Sequence, residues 1–325
     1  MPARPDAAGR RPRAGAGARA GPDPAHAGDE RLTTRLVLAA VAAAVAAGGG
    51  CGSREAPRGR SGPVADGAAA EAGSAPVVRI PDETRQLVTA IVPDWDRPVA
   101  RLRRWERDAG DQPWRPVGDE WPAAIGSAGA AWGRGLHGDG APGRPGPIKR
   151  EGDGRSPAGL FAIGPAFGYA AAAPAGTRVA YTTVDERWRC VDDPRSAHYN
   201  RVLDERTVAP DWRSAEDMRR SDELYAWVIE IEHNRAASPG GGSCIFFHVW
   251  RGADHPTAGC TAMAEADLVR LLAGLDPAAR PVFALLPADD YEAVAAAWGL
   301  PRVRVRPRRR PASARSTSRR RRRRR

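Results

Sequence analysis

The chain has 325 residues, 42% of them hydrophobic and 27% charged, with 36 glycines and 30 prolines. This length allows one or two domains with a real core, while the glycine and proline content excludes a coiled coil and disfavours an all-helical bundle. The net charge is +11, and it comes from the two ends of the chain: fourteen arginines lie between Arg302 and Arg325, and the residues before 36 have three more positive than negative charges. Residues 36–301 therefore carry a net charge of −6, which argues against nucleic-acid binding.

Residues 1–51 are predicted to be a disordered basic segment followed by an export signal. The apolar run 36–47 follows Arg35 and ends in small residues before Cys51. This pattern is typical of secretory signals, and the run is shorter than a membrane-spanning helix normally requires. A small-residue tract that closes on cysteine also resembles a bacterial lipobox, although Gly48 stands where an aliphatic residue is usual. The prediction is export and a lipid anchor on Cys51, with an uncleaved signal anchor as the alternative.

Three further segments are predicted from composition. Residues 52–78 are rich in Gly, Ala, Ser and Pro and should form a linker. Residues 79–305 should form one folded domain. Residues 306–325 are an Arg-rich tail that is either solvated or in contact with anionic wall polymers or lipid.

The first half of the folded segment is predicted to contain short strands. Alternating and apolar runs favour strands over Gln86–Val92, Val99–Arg107, Trp114–Val117 and Trp121–Ile125. Residues 133–164 contain glycine or proline every few positions, which predicts a loop.

The second half is predicted to mix helices and strands. A capping-box pattern at Ser214 predicts a helix to about Tyr225, and a proline followed by two acidic residues predicts a last helix that Gly299 stops. The other predicted elements are strands over Trp227–His233, Cys244–Trp250 and Pro281–Leu286 and a helix over Ala262–Leu272.

The four cysteines are widely spaced and form no CxxC pair, which argues against a structural metal site. In an exported protein, unpaired thiols need a reason. Lipidation would account for Cys51. Cys190 and Cys244 are either a disulfide or two buried thiols.

Cys260 is a candidate nucleophile. A predicted buried strand ends near His248, a loop follows, and Cys260 is predicted to stand at the start of the next helix, where the helix dipole favours a thiolate. The imidazole would accept the thiol proton. Gly259 allows a tight turn whose N–H groups, those of Gly259 and Cys260, could bind an oxyanion. The alternative is a buried structural cysteine.

Two segments make this interpretation more specific. Residues 148–164, which begin Ile-Lys-Arg-Glu-Gly-Asp-Gly-Arg-Ser-Pro-Ala-Gly, resemble the first motif of L,D-transpeptidase (YkuD-type) catalytic domains. Residues 246–263 resemble the active-site strand, loop and cysteine of that family. Shorter segments look like one branch of it: Cys190–Pro194, Tyr199-Asn200 and Gly242–Cys244. The resemblance covers about residues 80–305.

This resemblance implies a mainly β fold, a mixed sheet or sandwich with peripheral helices. It implies that Cys260 is the acylated nucleophile and His248 its base, without metal or organic cofactor. The substrate would be a peptidoglycan tetrapeptide stem, which loses D-Ala and is joined to a neighbouring stem in a 3→3 cross-link. Carbapenem-type β-lactams would form a covalent adduct. With water as acceptor the enzyme would be an L,D-carboxypeptidase, and without activity the chain would be a wall-binding lipoprotein.

The sequence departs from the family pattern at two positions. Ala258 stands where a second histidine is usual, and Ala262 stands where an arginine is usual. His255 either substitutes for the missing imidazole or is an exposed loop residue. The candidate substrate-binding residues are Trp250, His255 and His137. The alternative for His137 is that it lies in a flexible loop and has no role in binding.

Overall fold

A computed structural model describes residues 78–303. The predictions for the export signal, for lipidation of Cys51, for the linker before Val78 and for the Arg-rich tail lie outside the described residues. The described residues all belong to one compact unit. Neither of the two α-helices in this part of the chain is long and apolar enough to cross a membrane.

The described part of the chain is mainly β. Its strands are β1 (Gln86–Val92), β2 (Val99–Glu106), β3 (Arg115–Ala124), β4 (Ala130–Trp132), β5 (Arg134–Gly135), β6 (Gly138–Asp139), β7 (Ser156–Gly168), β8 (Tyr181–Thr183), β9 (Trp188–Val191), β10 (Val202–Asp204), β11 (Ala215–Asp217), β12 (Trp227–Ile231), β13 (Phe246–Val249), β14 (Thr261–Met263) and β15 (Val282–Pro287). The α-helices are α1 (Glu265–Gly274) and α2 (Ala288–Trp298), and short 3₁₀ helices lie at Glu205–Thr207, Glu223–Tyr225 and Pro277–Ala279.

Eight strands pair in a closed circuit. The order is β12-β13-β14-β3-β2-β1-β15-β7, and β7 returns to β12. The closure depends on the length of β7, which pairs with β15 through its middle residues and with β12 through its last ones. Closing a sheet removes exposed strand edges. A separate three-stranded sheet, β10-β9-β11, stands beside this circuit.

A large hydrophobic core fills the space between the circuit and the helices. Its bulkiest fully buried members include Trp132, Phe161, Phe247 and Phe283. The core strand β1 is apolar at nearly every position and is buried along almost its whole length, as expected of a strand paired on both sides within a core.

Several predicted elements are confirmed. β1 and β2 lie where the strand patterns placed them, and β12, β13 and β15 differ from their predictions only at the ends. The last helix begins after Pro287 and ends at Gly299, which takes a left-handed conformation with φ 71°. The two strands predicted around Trp121 are one strand, β3, whose pairing with β2 contains a register shift.

The prediction of a loop over residues 133–164 holds for residues 140–155 and is wrong elsewhere, because β5 and β6 precede this stretch and the long strand β7 begins at Ser156. Gly159 is needed there for a packing reason. It has φ +132°, and a Cβ at this position would lie 2.0 Å from the ring of His137. Glycine in this strand marks a close approach of a side chain and not a turn.

The predicted helix from Ser214 to Tyr225 is also wrong. The Ser-Ala-Glu-Asp segment forms β11, which pairs with β9, and only a single 3₁₀ turn precedes β12. Likewise, the helix predicted from Ala262 begins at Glu265, because residues 261–263 form β14 and pair with β13. In both places tertiary pairing overrides a local helical pattern.

Candidate active site

Strand register places Cys260 and His248 on one face of the sheet. β13 and β14 are parallel, with Phe247 opposite Thr261 and His248 opposite Ala262. Cys260 immediately precedes β14 and hence lies level with Phe246, two residues from His248, so that both side chains point to the same side. Both residues line the same cavity.

Cys260 precedes a strand and not a helix, so the predicted help from a helix dipole is absent at this site. Its thiol donates a hydrogen bond to the Cys244 carbonyl oxygen, with 3.3 Å between Sγ and O, and accepts one from the Phe246 N–H at 3.4 Å. Burial, followed by the nearby Glu216 carboxylate, raises the pKa of the thiol well above its usual value. The resting sulfur is therefore a protonated thiol.

The ring of His248 is buried and held by the backbone. Its Nδ1–H donates to the Val249 carbonyl oxygen at 2.7 Å, which makes Nε2 the nitrogen that carries the lone pair. Burial lowers the pKa of His248 to about 4. The imidazole is therefore neutral at physiological pH and its protonated form is costly.

Two hydroxyl groups fix the loop that leads into Cys260. The Ser156 hydroxyl donates to the carbonyl oxygens of Gly259 and Cys260, at 2.6 and 3.0 Å, and accepts the Gly126 N–H at 2.9 Å. The Thr257 hydroxyl donates to the Cys260 carbonyl at 2.7 Å and accepts the Gly259 N–H at 3.1 Å. The prediction that the Gly259 N–H is free for an oxyanion is therefore wrong in this structure.

The motif around Lys149 forms the wall of the site. Glu151 accepts hydrogen bonds from the hydroxyls of Ser243, at 2.6 Å, and Tyr199. Lys149 is buried and its ammonium pairs with Asp153. These contacts join the segment before β7 to the segment before β13, so residues far apart in the sequence meet beside the cysteine.

A disulfide between Cys190 and Cys244 joins the three-stranded sheet to the segment that precedes β13. The Cα atoms of the two cysteines are 5.9 Å apart. Cys244 has φ +55°, an uncommon conformation for a residue other than glycine, and such conformations cluster at functional sites. Its amide donates to Asn200 Oδ1 at 2.9 Å, which fixes the residue whose carbonyl accepts the Cys260 thiol.

Sequence reasoning missed two residues of the site, Glu216 and Tyr225. Glu216 lies directly opposite Cys190 in the pairing of β11 with β9, so its side chain points to the same face as the disulfide. The Tyr225 hydroxyl donates to Glu216 Oε2 at 2.6 Å. No local signal would have identified Glu216, because acidic residues are common at the start of a helix and the capping-box pattern predicted a helix there.

Tyr225 lies between the groups that flank the thiol. Its ring packs edge to face against Phe246 and His248, with centroid distances of 5.9 and 5.3 Å. Hydrogen bonding by its hydroxyl lowers the pKa of Cys260, against the larger opposing effects of burial and Glu216. Burial raises the pKa of Tyr225 itself well above its usual value.

These residues line one cavity of about 590 Å³. Cys260, His248, Glu216 and Tyr225 lie along it, as do the predicted substrate-binding residues Trp250 and His255. His255 is exposed, with 58% of its side-chain surface accessible, and its Nδ1 lies 2.9 Å from Asp254 Oδ1. A larger cavity, of about 920 Å³, lies between β3 and α1 and is lined by none of the predicted site residues.

His137 does not line the cavity, and the prediction that it lies in a substrate groove is wrong. Its ring is buried in the large core between Trp132, Phe161 and Trp298. Nδ1 accepts the Leu160 N–H at 3.0 Å, and Nε2 lies 3.1 Å from the Gly133 carbonyl oxygen. His137 is thus a structural residue of the core.

The cavity therefore presents a buried thiol, a neutral imidazole and a carboxyl–tyrosine pair to the same space. Such a set can perform nucleophilic chemistry with proton transfer. Comparisons with protein-family models, with curated proteins and with solved structures found no match to this chain.

Proposed function

We propose that the protein is a peptidoglycan L,D-transpeptidase that uses Cys260 as its nucleophile, and that its fold is the L,D-transpeptidase catalytic fold. The observation that carries the proposal is that Cys260, immediately before β14, and His248, on the neighbouring parallel strand β13, line the same cavity. Three contacts add support, namely Lys149 with Asp153, Glu151 with Ser243 and Ser156 with Gly259, because they bring the first motif of the resemblance beside the cysteine.

In the proposed reaction the thiol turns from the Cys244 carbonyl toward His248, whose Nε2 accepts its proton. The sulfur attacks the carbonyl between the third residue of a tetrapeptide stem and its terminal D-Ala. The imidazolium returns the proton to the amine of D-Ala, which leaves, and a thioester remains on Cys260. An amine of a neighbouring stem then displaces the sulfur and forms a 3→3 cross-link. The exchange of one acyl bond for another needs no cofactor.

The oxyanion that forms in each step would be held by the Cys260 N–H. The Gly259 N–H can join it only if it leaves the Thr257 hydroxyl, 3.1 Å away. A donor at this position typically contributes about 100- to 1,000-fold to the rate. Ser156 and Thr257 support the hole by fixing the carbonyl groups of Gly259 and Cys260, the first of which shares its peptide with the Cys260 N–H.

The proposed location is outside the cytoplasmic membrane, with the N-terminal segment as signal or lipid anchor. The Cys190–Cys244 disulfide supports this, because disulfides persist in oxidising compartments and are rare in the cytoplasm. The acceptor that ends the reaction decides between a transpeptidase and an L,D-carboxypeptidase, in which water attacks the thioester.

The test is to incubate the protein with a carbapenem and, separately, with disaccharide-tetrapeptide fragments of peptidoglycan. Intact mass should show one covalent adduct in the wild type and none in Cys260→Ser. The fragments should give 3→3 cross-linked dimers in the wild type. Tripeptide products without dimers would indicate the carboxypeptidase. A wild type without adduct or product would contradict the proposal and favour an inactive wall-binding protein.

A further inference from the structure

We propose that Tyr225 and Glu216 form a proton relay that accepts the proton of the Cys260 thiol, in parallel with His248. The inference rests on the proposed function in one respect only, namely that Cys260 is a nucleophile. Tyr225 would touch the reacting sulfur, whereas Glu216 would act through Tyr225.

The geometry supports a chain of three groups along the cavity wall. The Tyr225 hydroxyl donates its hydrogen to Glu216 Oε2 at 2.6 Å, so its oxygen retains lone pairs that can accept a hydrogen bond from the thiol. Tyr225 and Cys260 belong to the same small hydrophobic cluster, and Phe246 contacts both. By contrast, the Nδ1–H of His248 donates to a backbone group, the Val249 carbonyl oxygen.

The transfer is balanced within the three groups. The S–H bond of Cys260 breaks and its proton forms a bond with the Tyr225 oxygen, while the original Tyr225 proton moves to Glu216 Oε2. The products are a thiolate, an unchanged neutral tyrosine and a neutral carboxylic acid. One negative charge moves from Glu216 to Cys260, and no second charge is created in the buried cluster.

The surroundings of Glu216 make its carboxylate more basic than an exposed one. Burial, together with Asp192 and Glu151, raises the pKa of Glu216 to about 7, against the opposing effects of the Tyr225 hydrogen bond and Arg220. Glu216 is therefore a stronger base than His248, with a pKa of about 4.

The groups that act on the thiol oppose one another. Burial and then Glu216 raise the pKa of Cys260, whereas the Phe246 N–H, Lys149 and Tyr225 lower it. Because Glu216 and Cys260 interact, they titrate as a coupled pair. Loss of one proton from that pair near neutral pH leaves Glu216 ionised beside the neutral thiol, and this is the state in which the relay can accept the thiol proton as the sulfur attacks.

The relay and simple repulsion predict opposite changes in the reactivity of Cys260 when Glu216 is replaced by Gln. If Glu216 only repels the thiolate, Glu216→Gln removes a negative neighbour and makes Cys260 more reactive at neutral pH. If Glu216 accepts the thiol proton, the same variant makes Cys260 less reactive at neutral pH. The measurement is the rate of alkylation of Cys260 by iodoacetamide from pH 5 to 10 in the full chain, followed by mass spectrometry of the peptide that contains it.

In the wild type we expect the alkylation rate to rise with an apparent pKa near 7, and we call this rise the limb near pH 7. Glu216→Gln should lose this limb and react at least about tenfold more slowly at pH 7.5. Tyr225→Phe should lose the same limb, and the double variant should be no slower than either single one. His248→Ala should keep the limb.

Glu230→Gln is the matched control. Burial raises the pKa of Glu230 to about 6, yet this residue does not line the cavity, so its variant should match the wild type. Circular dichroism checks that each variant is folded. Faster alkylation of Glu216→Gln, or a wild type with no limb near pH 7, would overturn the relay. Because alkylation needs no peptidoglycan, this result is independent of whether the protein is a transpeptidase.

Discussion

His137 and His248 are both buried histidines, and burial lowers the pKa of each. His137 lies in the large core, where the Leu160 N–H and the Gly133 carbonyl engage its two ring nitrogens. His248 lies at the wall of the cavity, where the Val249 carbonyl engages Nδ1 and the Leu224 backbone also acts on the ring. A histidine buried within the core serves the fold, whereas one that lines a cavity together with a thiol can serve chemistry.

The same contrast separates the two hydrophobic clusters. The large core belongs to the closed strand circuit and its helices. The smaller cluster contains Cys190, Cys244, Cys260, Tyr225 and Phe246 and depends on the three-stranded sheet and the disulfide. We infer that the circuit supplies stability while the smaller cluster supplies the site, and four experiments can break or sharpen this division.

The largest effect should come from removal of the cavity imidazole. His248→Ala should slow acylation by about 100- to 10,000-fold, the usual contribution of a general base, because Cys260 loses its proposed partner. Stopped-flow or mass-spectrometric measurement of carbapenem acylation checks this. His137→Ala should instead lower the free energy of unfolding, by about 3 kcal/mol or more, as for other large buried rings. If His137→Ala is the variant that abolishes acylation while remaining folded, the division is wrong.

Removal of the disulfide should affect the two clusters unequally. Cys190→Ala with Cys244→Ala frees a loop with a sequence separation of 54, for which the chain-entropy argument gives about 4 kcal/mol. Hydrogen exchange should speed up in β9, β10 and β11, while β1 and β15 keep their protection. Equal acceleration in all five strands would show that the clusters unfold as one unit.

Acid should weaken the large core through His233. Burial lowers the pKa of this residue to about 4, below its value of 6.5 in an unfolded chain, so the unfolded state binds the extra proton between these values. Stability is therefore full above pH 6.5 and falls as the pH drops toward 4, by about 2 kcal/mol at pH 4.5. Urea unfolding of wild type and His233→Gln at pH 7 and 4.5 isolates this term. An equal pH dependence in both proteins would contradict it.

The smallest effect should come from the exposed loop histidine. His255 lies at the cavity but is largely solvated and paired with Asp254, so His255→Ala should slow acylation by less than about tenfold. The pH–rate profile of acylation should match that of the wild type. A much larger loss would indicate that His255 has taken the role of the imidazole that Ala258 replaces.

The sequence predicted the elements whose patterns are local. β1 is apolar at five of its seven positions, and α2 lies between Pro287 and Gly299, so both lie where the sequence placed them. The pair of Cys260 and His248 was also found from the sequence, because its spacing accompanies a recognisable strand and loop. β7 and β11 were missed because their residues are explained by distant partners. Gly159 makes room for His137, and Glu216 pairs with Cys190 across two strands.

The sequence by itself thus determined the β-rich character, the last helix and the identity of the candidate nucleophile and base, because each depends on neighbouring residues along the chain. Only the tertiary structure decided that Cys260 precedes a strand, that the Gly259 N–H is engaged by Thr257, and that Glu216 and Tyr225 stand beside the thiol. Strand pairing brings residues tens of positions apart to one face of a sheet, and no local pattern encodes which strands will pair.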